Sequence, residues 1–283
     1  MFIGNPSRVT KAFVIGDPIK HSRSPLIHGH WLAQFGLDGT YEAINVTPEG
    51  LPEFFDRLRT SEFAGGNVTI PHKEAVFALC DSVDPLARAI GAVNTLVVEN
   101  AKVHGTNTDY LGFLGNLDAA APGWSDRIEQ AIVLGAGGAA RAILVALAAR
   151  KIASVHILNR TVATAEKLAV EINGPFQSHP LGEFEQLAPD AGLLVNTTSI
   201  GMHGTAFEAL NLSCLPKSAL VTDIVYTPLV TPLLAEARTL GLATVDGLGM
   251  LLHQAVPGFE AWFGQRPVVD QGLRDQIAAT LEH

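Results

Sequence analysis

Cysteine is scarce in this chain of 283 residues: Cys80 and Cys214 stand far apart, and no C-x-x-C pair exists. A disulfide framework or a cysteine zinc site is therefore not expected. No run approaches 18 apolar residues, so no membrane span is expected. Residues 1–11 lack the apolar stretch of a secretory signal. Basic residues are few, 19 against 28 acidic ones, and the formal net charge is −9. Such a surface repels phosphate backbones, which argues against nucleic acid or an anionic membrane as partner. A local basic pocket for one anionic metabolite stays compatible with it. The expectation is a cytoplasmic protein with a small-molecule partner, monomer or homodimer.

Hydrophobic residues make up 47% and the mean hydropathy is +0.24, enough for a real core. Glycine (27) and proline (16) are too few for a low-complexity chain. The length suits one large domain or two modest ones.

In the first part of the chain, strands and helices alternate. Residues 11–15, 41–46 and 66–70 read as strands; residues 24–35, 51–58 and 74–80 read as helices. Residues 95–98 and 102–104 flank Glu99-Asn100-Ala101 and predict a hairpin. A helix from Asp109 to about Ala120 is broken by Ala121-Pro122-Gly123, a candidate junction. Beyond it, short buried strands at 130–134, 154–158, 192–195, 220–225 and 243–245 alternate with helices at 138–149, 163–172 and 231–240. This pattern predicts a parallel, doubly wound sheet. The tail from about Gly249 reads as largely helical.

One motif points to a cofactor. The strand 130–134 runs into Gly135-Ala136-Gly137-Gly138-Ala139-Ala140 and then a helix, a G-x-G-x-x-A turn. Gly135 permits the tight turn, Gly137 lets a pyrophosphate approach, and Ala140 lets the helix sit close to the sheet. The alternative is merely a tight strand–helix turn. The next strand ends in Asn159-Arg160-Thr161, without the carboxylate that usually binds the ribose of NAD. Arg160 can pair with a 2′-phosphate, and Asn159 and Thr161 can donate hydrogen bonds, so NADP is expected over NAD.

Three polar clusters have no obvious structural task. They are residues 17–25, residues 67–73, and Asn94-Thr95 followed by Asn107-Thr108-Asp109. Each is expected just after a strand, where α/β proteins place ligand groups. His21, His28 and His30 lack the spacing and partners of a metal site, and none is expected.

Taken in order, GDPIKHSRSPLIH (16–28), NVTIPHKE (67–74), GAVNTL (91–96), GTNTD (105–109), GAGGAARA (135–142) with its NRT (159–161), and GLGMLLHQA (247–255) resemble the shikimate dehydrogenase family. The resemblance spans almost the whole chain. It implies NADPH-dependent, reversible reduction of 3-dehydroshikimate to shikimate in aromatic amino-acid biosynthesis. It also implies an α/β fold of two domains with a cleft between them: a three-layer substrate domain (1–108, completed by 246–283) and a Rossmann-like cofactor domain with a parallel sheet (124–245), joined by 109–123.

Carried over motif by motif, the resemblance implies that Ser22 and Ser24 bind the substrate carboxylate. Thr69, Asn94 and Gln254 are expected on its hydroxyls or carboxylate, and Tyr226 over the substrate. Lys73 and Asp109 are expected as the catalytic pair. Gly135, Ala136, Gly137, Gly138, Ala139, Asn159, Arg160, Thr161, Thr198, Ile224, Gly247 and Met250 are expected to bind the cofactor. Plainer readings stand beside several of these: Ser24 and Asp109 as helix caps, Lys73 as a solvated lysine, Gln254 as an exposed helix residue, Tyr226 as a packing tyrosine and Met250 as core.

Two positions depart from the family pattern. Thr164 stands where many members place a second arginine against the 2′-phosphate, with Lys167 one turn further on. His72 stands where an aromatic residue often precedes the lysine, and its charge could modulate Lys73. The nearest alternative is a quinate/shikimate dehydrogenase that uses NAD. A more distant one is a dinucleotide sensor without catalysis.

Overall fold

The computed structural model describes residues 9–281. The segment read as lacking a secretory signal lies outside that range as far as residue 8. The chain divides into two compact units. One runs to Thr108 and takes in Gln254–Ile277; the other takes in Asp109–His253 and continues from Ala278.

The first unit is built on six strands: β1 (Thr10–Gly16), β2 (Gly39–Asn45), β3 (Phe63–Val68), β4 (Ser82–Val83), β5 (Thr95–Glu99) and β6 (Lys102–Thr106). Their order is β2-β1-β3-β5-β6-β4. β1 pairs in parallel with β2 and β3, whereas β5 runs antiparallel to both β3 and β6. Helices α1 (Ser24–Phe35), α2 (Leu51–Leu58) and α3 (Pro85–Ile90) complete this stretch. The strand period of two gives the sheet two apolar faces. Phe13 and Ile15 pack with Leu51, Phe54 and Phe55 of α2 and Ala87 of α3. A Cβ on Gly66 would strike Phe13, while one on the neighbouring Gly65 would strike Trp262, so the two faces carry different layers.

The helix expected over residues 74–80 is one 3-10 turn, Ala75–Ala78. The Lys73 carbonyl, which an α-helix would pair with Phe77 N–H, instead accepts from Val93 N–H at 2.8 Å, and Phe77 N–H turns to Glu74. Helix α3 went unread, although its signals are ordinary: Asp84 caps Ala87 N–H at 2.7 Å, Pro85 opens it, and Gly91 closes it at φ 74°.

The second unit begins with α4 (Asp109–Ala120). It continues through β7 (Gln130–Leu134), α5 (Gly138–Ala149), β8 (Ser154–Asn159), α6 (Val162–Ile172), β9 (Phe176–Pro180), α7 (Phe184–Leu187), β10 (Leu193–Asn196), a short β11 (Ile200–His203), β12 (Leu220–Asp223), α8 (Pro232–Thr239) and β13 (Ala243–Val245). Six of these strands form a sheet in the order β13-β12-β10-β7-β8-β9, parallel throughout. β9 was not anticipated. Residues 131–134 are fully buried, as a strand covered on both faces requires. Two helices follow, the long α9 (Leu248–Phe263) and the short α10 (Gln271–Ala278). The division between units falls within α9, at Gln254, and places Asp109 with the second unit.

Candidate functional site

Antiparallel pairing explains how the polar clusters of the first unit meet. The residues after β1, β3 and β6 follow strands as expected, but Asn94-Thr95 does not: Thr95 opens β5. Because β5 runs against β3 and β6, its first residue lies opposite Asn67 and Thr106, at the strand ends. Residues 17–25, 69–73, 94–95 and 107–108 therefore share one edge of one sheet.

A buried hydrogen-bond network fixes that edge. Asn94 is buried, and its Oδ1 accepts from Thr108 N–H at 2.8 Å, Thr95 Oγ1 at 2.8 Å and Thr108 Oγ1 at 3.2 Å. The three bonds to its oxygen fix the orientation of the planar amide. Asn67 donates to the Asn94 carbonyl at 3.2 Å and to Thr95 Oγ1 at 3.1 Å. The Tyr41 hydroxyl donates to Asn67 Oδ1 at 2.6 Å and also bonds with Ser24. Burial raises its pKa well above the ordinary tyrosine value, so it stays a donor.

Ser24 is not the cap of α1; Arg23 holds that place, and Ser24 lies inside the first turn with Pro25. Ser22 Oγ accepts from Ser24 N–H at 3.3 Å. Their loop is anchored to β2, where Asn45 accepts from Ile19 N–H at 3.3 Å and donates to Asp17 at 3.1 Å. Thr69 N–H donates to the Ile15 carbonyl, tying the next loop to β1. Lys73 is half-buried there. His72 is buried and donates Nε2–H to the Val46 carbonyl at 2.6 Å, which pins its ring beneath the loop. Gln254 is half-buried on α9.

The three histidines weighed as metal ligands go separate ways. His28 is fully buried, His30 bonds Gln276 at 2.8 Å, and His21 is exposed. Among the described residues no group of three or more His, Cys, Asp or Glu is placed to hold a metal ion. No described helix is long and apolar enough to cross a membrane.

In the second unit, strand order reverses at β7: β8 and β9 lie on one side, β10, β12 and β13 on the other. Ligands of such sheets bind at this switch, beyond the carboxyl ends of the strands. Gly135 leaves β7 there at φ 100°, and a Cβ on it would sit 2.7 Å from Thr198 Cγ2 of the loop after β10. Gly137 and Gly138 are exposed at the start of α5, with open space where a side chain would project. Bare backbone at a helix N-terminus suits a pyrophosphate. Ala136 and Ala139 flank it half-buried, and Ala140 is fully buried against the sheet.

At the end of β8, Asn159 donates to the Thr161 carbonyl at 2.9 Å, and both Arg160 and Thr161 are exposed. Thr164 is exposed as well. Lys167 turns to Glu171, 3.8 Å away, and Glu171 also meets Arg141. Arg160 is thus the cation at the strand end itself. The cradle and the exposed guanidinium fit a dinucleotide with a 2′-phosphate. Ile224, Tyr226 and Met250 are half-buried, and Asp109 opens α4.

Sequence comparisons agree with this geometry. Residues 14–96 match the shikimate dehydrogenase substrate binding domain, 123–250 the shikimate / quinate 5-dehydrogenase family, and 247–271 the shikimate 5′-dehydrogenase C-terminal domain. A shikimate dehydrogenase (NADP(+)) from Brucella abortus is 55% identical over 278 residues, 97% of this chain and 96% of that one. The chain belongs to the shikimate dehydrogenase family. Among solved members, the enzyme of Thermus thermophilus in complex with NADP(H) and shikimate has a TM-score of 0.85 at 37% identity, covering 96% of this chain and 100% of that one. Quinate dehydrogenase from Corynebacterium glutamicum in complex with NAD has a TM-score of 0.88 at 30% identity, covering 96% and 99%.

Sequence reading of this shikimate dehydrogenase family member overlooked Tyr41, Asn67 and Asp223. Asn67 lies at the start of the 67–74 motif, and nothing local marks it apart from its polar neighbours. Tyr41 carried no local signal, because it reaches Asn67 only through the pairing of β2 and β3 with β1. Asp223 is completely buried and accepts from Asn196, Val225 N–H and Thr231. Burial raises its pKa against those three bonds, which pull it down.

Proposed function

We propose that the protein catalyses the reversible, NADPH-dependent reduction of 3-dehydroshikimate to shikimate. What carries the reading is that the chain belongs to the shikimate dehydrogenase family along almost its whole length, with both Lys73 and Asp109 present. Ser22, Ser24, Thr69, Asn94, Tyr226 and Gln254 are the proposed substrate ligands. The glycine turn with Asn159, Arg160, Thr161, Thr198, Ile224, Gly247 and Met250 is the proposed cofactor set.

NADPH, when bound, supplies the hydride to the ring ketone. The protein must then meet the negative charge that builds on the ketone oxygen. The Lys73 ammonium stabilises that oxyanion and delivers the proton. Asp109 is the proposed second member of the catalytic pair, bonding the same hydroxyl. Asn94, held in place by the buried hydrogen-bond network, is the proposed partner of a substrate oxygen. Replacing Lys73 with Ala is expected to lower kcat by about 10²–10⁴-fold with a smaller change in KM. A variant with near wild-type kcat would remove Lys73 from this role.

A second reading rests on the NADP end. With Thr164 in place of a second arginine and Lys167 turned to Glu171, a single exposed guanidinium serves the 2′-phosphate. Slower but measurable use of NAD beside NADP is the activity this arrangement favours over strict NADP specificity.

A further inference from the structure

Two loops of the second unit that carry proposed cofactor and substrate residues are tied to one buried carboxylate. Asn196 ends β10 and Asp223 ends β12, and the two are paired in register. Asp223 is 0% exposed. Its Oδ1 accepts from Asn196 Nδ2 at 2.9 Å and from Val225 N–H at 2.9 Å; its Oδ2 accepts from Thr231 Oγ1 at 2.7 Å. Asn196 in turn accepts from Thr198 N–H at 3.0 Å and Thr198 Oγ1 at 2.8 Å, and its backbone carbonyl accepts from Ile224 N–H at 3.1 Å. Gly247 lies so close to the Ile224 and Val225 backbone that a Cβ there would collide with it. Thr198, Ile224 and the turn into α9 therefore take their positions from the Asn196–Asp223 pair.

The topology tells which part of the dinucleotide these loops face. Arg160 and Thr161 follow β8, on one side of β7, whereas Thr198 and Ile224 follow β10 and β12 on the other. A dinucleotide with its pyrophosphate at the β7 turn and its 2′-phosphate at Arg160 lays its nicotinamide over β10 and β12. We infer that Asp223 is a positioning residue for the nicotinamide half of the cofactor, acting through Asn196 and the Val225 amide. The inference rests on the proposed dehydrogenase reading.

Three donors converge on this carboxylate, and replacing Asp223 with Asn turns the Oδ2 acceptor into a donor that the Thr231 hydroxyl can meet only by reversing from donating to accepting, while the negative charge that holds Asn196 and the Val225 amide is lost. A misplacement of about 1 Å at a reacting centre costs on the order of 10²-fold in rate. Asp223→Asn is therefore expected to lower kcat for shikimate oxidation on that scale. It should also reduce the rise in NADPH nicotinamide fluorescence on binding. Affinity for adenosine 2′,5′-bisphosphate, the half that meets Arg160, should stay at the wild-type value. Thr231→Val removes one of the three bonds and should move kcat and fluorescence the same way by less. It decides the matter if Asp223→Asn does not fold. Wild-type kcat and fluorescence in either folded variant would overturn the inference. So would equal losses in bisphosphate affinity, which would mark a general loosening of the sheet. A wild-type chain inert toward shikimate with NADP would defeat the dehydrogenase reading instead, and the fluorescence and bisphosphate comparison would still judge Asp223.

Discussion

His28 stacks on Tyr41 with ring centroids 3.9 Å apart and planes within 14°. The ring is fully buried among Trp31, Phe259 and Trp262. Burial lowers its pKa to about 3, with the nearby Asn67 side chain opposing weakly. His28 is thus a neutral aromatic disc that backs the Tyr41–Asn67 bond. A charge on it would have no counterpart in the core.

Acid should therefore weaken the protein through His28. Between pH 6.5 and about 3 the unfolded chain takes up a proton that the folded chain refuses. Stability then falls as pH falls, by about 1.4 kcal/mol per pH unit for one such group. Replacing His28 with Phe removes this contribution. Denaturant titrations of both proteins across that window should give a visibly shallower slope for the variant. Equal slopes would mean that His28 protonates freely in the folded state.

Tyr41→Phe should lose stability and substrate affinity together. It leaves the buried Asn67 Oδ1 without its donor, a cost of about 1–3 kcal/mol. Ser24 loses its partner at the same time. The expected result is a lower Tm with a raised KM for shikimate and a kcat within reach of wild type. A changed kcat with unchanged KM would contradict the assignment of Ser24 to the substrate side.

Arg160→Ala should raise KM for NADP by at least about tenfold, on the scale of a charge-assisted phosphate contact, and leave KM for NAD nearly unchanged. Thr164→Arg should act in the opposite sense, tightening NADP alone. Initial rates with both cofactors decide it. Equal effects on both cofactors would show that Arg160 supports the fold of the loop and does not read the phosphate.

A row of polar groups joins β8 to β9, and its proton order follows from its two ends. The Gln177 amide donates to Ser154 Oγ at 3.4 Å, and the Glu183 carboxylate accepts from His179 Nδ1 at 2.8 Å. Between them, Ser154 Oγ meets His156 Nε2 at 3.2 Å, and His156 Nδ1 meets His179 Nε2 at 3.0 Å. With neutral rings, every proton must then point toward Glu183. Both imidazoles should carry hydrogen on Nδ1. Nitrogen NMR at neutral pH should find that tautomer in both, and the Nε2 tautomer in either would break the order. Burial and the neighbouring His179 keep the pKa of His156 low.

The glycine turn and the parallel sheet were legible because each strand, turn and helix there is contiguous in sequence. The 74–80 helix was misread because its apolar spacing suits a helix, while the deciding bond comes from Val93, far along the chain. Asn94 was legible as a polar residue without a structural task. Its place at the sheet edge was not, because that depends on β5 running antiparallel to β3. Asp223 stayed hidden for a similar reason. Its partners Asn196 and Thr231 lie 27 and 8 residues away, and only strand pairing and the following helix gather them.

The most direct test of the function is a two-by-two measurement of initial rates: shikimate or quinate, each with NADP or NAD, followed at the nicotinamide absorbance. Turnover of shikimate with NADP is the predicted result, with quinate disfavoured by the intact Ser22 and Ser24 and NAD slower but measurable because Arg160 stands without a second arginine. Absence of turnover with shikimate and either cofactor, in a protein that is folded, would contradict the account.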